Sequence, residues 1–96
     1  MRRYIIERDI PEVGSLEREQ LKGAAEKSNA ALAELGKDIQ WVTSYVAANK
    51  TFCVYYAKDE AIIHRHAELS GFPATTITEV AKTIDPTTAA ARAKQS

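Results

Sequence analysis

Two histidines separated by one residue are the feature of this sequence that most clearly suggests chemistry. His64 and His66 lie in a His-Arg-His segment whose apolar spacing is typical of a helix. At about 100° per residue, helix positions two apart diverge by roughly 200°, so the two imidazoles cannot hold one ion together. They therefore need separate explanations.

His64 is predicted to share a helical ridge with two acidic residues. Glu60 and Glu68 each lie four residues away from it, about one turn in either direction. Imidazole nitrogen and carboxylate oxygen suit nickel or zinc, and water or a neighbouring subunit can complete the coordination shell. The alternative interpretation is a solvated Glu-His-Glu face with ion-pair character, which the spacing alone favours.

His66 falls on the apolar side of the same predicted helix, so we expect it to face a sheet as a hydrogen-bonded core residue. A functional alternative places it near the first strand and Cys53, where an acid, an imidazole and a thiol could support nucleophilic catalysis. Nothing beside Cys53 indicates an activated thiolate, and a mid-strand cysteine is most often a small buried hydrophobe. The residues of this alternative pocket are Glu7, Asp9, Tyr45 and Cys53.

Composition excludes several classes of partner. The 96 residues carry 13 basic and 13 acidic side chains, so the formal net charge is zero. Such a chain lacks the overall charge that attracts nucleic acid or an anionic membrane, and we expect neither as a partner. It has one cysteine, which excludes an internal disulfide, and no apolar run long enough for a signal peptide or a membrane span. These features predict a cytoplasmic protein.

Apolar periodicity and turn residues predict six elements in the order β-α-β-β-α-β. They are a strand at 4–8, a helix from N-cap Ser15 to a stop at Gly36, hairpin strands at 39–47 and 51–57, a helix from N-cap Asp59 to a stop at 70–73, and a strand at 75–84. This order is that of the ferredoxin-like α+β fold, a four-stranded antiparallel sheet with two helices on one face. Residues 1–86 would form this domain and residues 87–96 a tail.

Whichever way the predicted hairpin is oriented, the uncovered side of the sheet carries aromatic or branched side chains. Pairing residue 47 with residue 50 sets 44 opposite 53 and 41 opposite 56, and groups Trp41 with Tyr45 and Phe52. Exposed sheet aromatics are also how RNA recognition motifs stack bases, but the expected glycines and a basic surface are missing. A homodimer that buries the open face in a dimeric α+β barrel is the simpler interpretation.

Several motifs at consistent spacing resemble a family of small bacterial ferredoxin-like proteins that was long a domain of unknown function. The family is now known through a nickel-responsive, nickel-binding member, and the resemblance covers about residues 3–88. The motifs that carry it are 4–9, 39–46, Cys53-Val54-Tyr55, Lys58-Asp59-Glu60, His66-Ala67, Gly71-Phe72-Pro73 and 84–87.

The resemblance implies a dimer that binds nickel at its surface and has no established reaction. His66 and the Asp59-Glu60 helix start lie at positions that match the family's motifs, whereas His64 stands where the resemblance implies variable residues, often arginine. The leading hypothesis is a nickel-binding protein of metal handling or stress response that uses Glu60, His64 and Glu68, with His66 as a further ligand. The alternative is a dimeric α+β-barrel enzyme or small-molecule-binding protein that uses His66, Glu7 and Cys53. A purely structural interaction module is the third.

Overall fold

The computed structural model describes residues 1–90, and its main elements follow the predicted order. They are β1 (Arg2–Asp9), α1 (Arg18–Leu35), β2 (Ile39–Val46), β3 (Lys50–Ala57), α2 (Glu60–Ser70), β4 (Thr76–Glu79) and α3 (Pro86–Ala90). Of the predicted tail, 87–90 belong to the short helix α3, which begins at the last residue of the predicted domain, and residues 91–96 lie outside the described part of the chain. No helix within residues 1–90 is long and apolar enough to cross a membrane.

The four strands form one antiparallel sheet in the order β2-β3-β1-β4. Because β3 lies between the parallel strands β1 and β2, the β1-α1-β2 unit is split by a strand from the second half of the chain. That interleaving defines the ferredoxin-like α+β arrangement, so the predicted fold class is confirmed.

Side chains of the two central strands alternate strictly between the faces of the sheet. Along β3, the odd-numbered residues from Thr51 to Ala57 are buried and the even-numbered ones are partly exposed. Both helices pack on the buried side, here called the covered face, whose core contains Tyr4, Ile6, Ile39, Cys53, Tyr55, Ala57 and Ile63. The opposite side, here called the open face, carries Arg3, Ile5, Glu7, Tyr45, Phe52, Val54 and Tyr56.

The predicted N-cap of α1 is wrong, whereas that of α2 is confirmed. Ser15 ends a short 3-10 turn, where its hydroxyl donates to the Glu12 carbonyl at 2.8 Å. The helix begins after Glu17, whose backbone N–H donates to the Gln20 side chain at 2.9 Å as in a capping box. In α2 the Asp59 carboxylate accepts from the backbone N–H three residues on, at 3.1 Å.

The hairpin register is confirmed near the turn and wrong farther from it. Ser44 pairs with Cys53 as predicted, but Trp41 lies opposite Tyr55 instead of residue 56. A β-bulge between Trp41 and Thr43 adds one residue to β2, and a one-residue shift reverses which face a side chain occupies. Trp41 therefore lies on the covered face and not, as predicted, beside Tyr45.

The last strand, Thr76–Glu79, is shorter at both ends than the predicted 75–84. Glu79 pairs with Tyr4, and just beyond the strand the Val80 N–H still donates to the Arg3 carbonyl at 2.8 Å. Residues 80–84 follow as irregular chain.

We expect opposite stability effects from adding a methyl group at two glycines. A Cβ at Gly14 would lie 2.6 Å from the Ala47 carbonyl oxygen and 2.8 Å from the Ala48 Cα, so Gly14→Ala should cost about 1–3 kcal/mol. Gly23, inside α1, has nothing within 4 Å of that position, so Gly23→Ala should stabilise the protein by about 1 kcal/mol. Urea denaturation measures both values, and a Gly14→Ala variant as stable as wild type would contradict the close packing of this turn.

Candidate functional site

The outer surface of α2 carries the predicted histidine ridge. His64 Nε2 lies 4.0 Å from the Glu60 carboxylate, and their side chains are 60% and 58% exposed. Glu68, one turn farther along α2, is also exposed. Two donors of the predicted set therefore approach each other in water, where the i,i+4 spacing on a helix brings them together.

The ridge supplies only part of a metal coordination shell. Nowhere within residues 1–90 do three His, Cys, Asp or Glu side chains come together in a group that could hold a metal ion. The chemistry of the donors fits nickel or zinc, since an imidazole and a carboxylate are both suitable ligands. A single copy would thus provide two ligands to a divalent ion at its surface, and water or another copy would complete the coordination shell.

His66 occupies the opposite side of α2, as the helical spacing predicted, and is 1% exposed. Its Nε2 lies 3.1 Å from the Ser28 hydroxyl of α1, and its ring packs against Tyr55 at a centroid distance of 5.3 Å. Its Nδ1 has no hydrogen-bond partner among the described residues. Burial first, and then the charge of Arg8, lower its pKa from 6.5 to about 4, so the ring is neutral near pH 7.

The sheet separates the alternative pocket into two groups. Cys53 is buried on the covered face, where its thiol lies 3.5 Å from the Thr51 hydroxyl. Glu7 and Asp9 lie on the open face and pair with Lys50 at 3.1 Å and 3.8 Å. Tyr45 is 63% exposed on that same face. Strand alternation therefore keeps the acids away from the thiol and from His66, and the proposed acid-imidazole-thiol set does not assemble.

A cavity of about 510 Å³ lies between α1 and the covered face. Its walls are mostly apolar and come from the segment before α1, from α1 itself, and from β2 and β3, for example Val13, Leu21, Ala25, Trp41 and Cys53. The polar residues at its wall include Arg8, Ser28, Thr51 and Tyr55. Arg8 was not singled out from the sequence, although its alternation with Tyr4 and Ile6 in β1 placed it on the covered face.

Fold and sites together define a small ferredoxin-like α+β protein with an exposed His-Glu pair and a separate apolar cavity. The sequence profile described as "Nickel responsive protein SCO4226-like" matches residues 4–80, and the chain belongs to this family. The crystal structure of SCO4226 from Streptomyces coelicolor A3(2) superposes with a TM-score of 0.70 at 16% identity, covering 85% of this chain and 99% of that one. At this identity the likeness concerns the fold. No curated protein sequence matches the chain.

We expect the burial of neutral His66 to make the protein less stable in acid. Its pKa is about 4 when folded and 6.5 when unfolded, so between these values the unfolded chain binds the additional proton. The contribution of neutral His66 to the free energy of unfolding is therefore fully present above about pH 6.5. It decreases as the pH falls toward 4, by up to about 1.4 kcal/mol per pH unit.

Urea denaturation across this pH range measures the effect. His66→Phe, which keeps the ring packing against Tyr55, should flatten the dependence relative to wild type, since it removes the titrating group. His64→Gln on the exposed side of α2 is the matched control and should keep the wild-type slope. Equal slopes for wild type and His66→Phe would contradict the assignment.

Proposed function

We propose that the protein binds nickel in the cytoplasm through the outer ridge of α2, as part of metal handling or stress response. The observation that carries the proposal is the exposed His64-Glu60 pair, with the two donors 4.0 Å apart in a member of a nickel-responsive family. His64 would supply a neutral imidazole nitrogen and Glu60 a carboxylate oxygen. Glu68, one turn beyond His64, is the third predicted ligand.

His66 has a different part in this proposal from the one predicted. Its Nε2 is engaged with Ser28, and its side chain is buried on the other side of α2 from His64. A metal ion on the outer ridge is therefore out of its reach, because the two side chains point in nearly opposite directions. The proposed surface site accordingly uses His64, Glu60 and Glu68, and assigns His66 to the packing of α2 on the sheet.

Isothermal titration with Ni²⁺ tests the site. Wild type should bind one ion per chain, and His64→Ala should weaken binding by at least about tenfold, since the loss of even an outer-shell partner typically costs ten- to a hundredfold. Glu60→Gln should weaken it as well, because the donor nearest to the imidazole becomes a neutral amide.

Glu26→Gln is the matched control, because this exposed acid of α1 pairs with Lys22 one turn away and belongs to no proposed ligand set. It should bind Ni²⁺ like wild type. Absence of saturable binding by wild type would refute the nickel proposal. Equal binding by wild type and His64→Ala would refute the site and leave nickel binding elsewhere on the chain.

We also propose that two copies associate through the open face, as a dimeric α+β barrel. The open face carries large side chains that no helix of residues 1–90 covers, including Phe52, Val54 and Tyr56, with Tyr45 63% exposed at its edge. It also carries both signs of charge, with Lys50 beside Glu7. A two-fold axis brings each patch against its own copy, so a face with both signs can be complementary to itself.

Sedimentation equilibrium tests the association. Wild type should be a dimer at micromolar concentration, and Tyr45→Asp should shift the population to monomer by burying an unpaired charge at the interface. Because Tyr45 is already 63% exposed in the single chain, the substitution should leave the fold intact. Glu34→Gln, on the exposed side of α1, is the control that should stay dimeric. A monomeric wild type would refute the proposal.

A further inference from the structure

Arg8 is a buried cation without an acidic partner in the described chain. It is 3% exposed, and none of the ion pairs within residues 1–90 includes it. Its guanidinium donates to the Pro73 and Phe72 carbonyls at 2.9 Å and 3.4 Å and to the Tyr55 hydroxyl at 3.5 Å. Burying a charge against neutral acceptors alone is costly, so this position is suited to an anion that the protein itself does not supply.

Arg8 also belongs to the wall of the cavity of about 510 Å³ beneath α1. That volume lies in the range of about 300–1,000 Å³ typical of small-molecule sites, which are mostly apolar with a few polar groups for orientation. Tyr55 and Ser28 line the cavity beside Arg8 and add two hydroxyl groups. Burial raises the pKa of Tyr55, so its hydroxyl keeps its proton and can donate to an anion.

We propose that this cavity binds a small organic monocarboxylate with an apolar body, whose carboxylate pairs with the Arg8 guanidinium and whose body fills the space between α1 and the sheet. Arg8 is the one charged residue among the described residues that line the cavity, so the site carries a single positive charge and matches a single negative one. An arginine fork suits a carboxylate in both geometry and charge.

Other occupants fit the cavity less well. A metal cation would meet the charge of Arg8 and no acidic side chain of the wall. A dianion such as a phosphate ester would bring two charges to one guanidinium. Water alone would leave the apolar walls, including Leu21 and Trp41, exposed to solvent. Covering those walls with a hydrocarbon ligand is favoured by about 25 cal/mol per Å² of apolar surface buried.

Paired titrations with decanoate and decanol, below their aggregation limits, test the proposal by calorimetry and by backbone amide shifts. Wild type should bind decanoate at least about tenfold more tightly than decanol, because a charge-assisted hydrogen bond is lost with the neutral headgroup. The largest shifts should fall at Ser28 and Cys53, which lie on two walls of the cavity. Arg8→Met should reduce decanoate affinity to that of decanol while it leaves decanol binding unchanged.

A second variant keeps the test decisive if Arg8→Met does not fold. Ala25→Phe places a ring at the α1 wall of the cavity and keeps Arg8 itself unchanged, and it should abolish binding of both ligands while the protein stays folded. Ala33→Phe, on the exposed side of α1, is its matched control and should bind like wild type. No saturable decanoate binding by wild type, equal affinities for decanoate and decanol, or wild-type affinity in Ala25→Phe would each overturn the proposal.

Discussion

The alternation of side chains along β1 and β3 is the constraint on which the rest of this structure depends. These two strands occupy the centre of the sheet, so each residue in them is committed either to the covered face or to the open face. Tyr4, Ile6 and Arg8 go beneath the helices, whereas the residues between them go to the other side. Chemistry that needs groups from both sets, such as an acid of β1 with the thiol of β3, is therefore excluded by geometry.

Arg8 places a buried positive charge on the covered face, and this charge affects the residues around it. Its guanidinium lies 5.9 Å from the centre of the Tyr55 ring, and that ring in turn packs against His66. The positive charge is one of the causes that keep His66 neutral, after burial itself. A neutral imidazole can form a hydrogen bond with the Ser28 hydroxyl. A protonated imidazole would add a second buried charge, and burying that charge costs more free energy than the hydrogen bond contributes.

The sequence predicted features correctly where the signal is local, and it misled where the pairing between strands determines which face a side chain occupies. Asp59 was recognisable as a cap because its carboxylate acts within one turn, and the burial of His66 followed from helical spacing. The side on which Trp41 lies could not be predicted, because a bulge in the edge strand β2 shifts the alternation of its side chains by one residue. Arg8 was missed for another reason. Arginine side chains are mostly exposed, and its burial becomes notable only with the cavity beneath α1.

The two proposed sites differ in how firmly the fold holds them. The His64-Glu60 pair is exposed on a helix surface, so either residue can change with little effect on stability. Arg8 is instead fixed by the carbonyls of the chain after α2, and its burial has to be offset within the folded protein. A group that costs stability and lines a mostly apolar cavity is better explained by a ligand than by the fold.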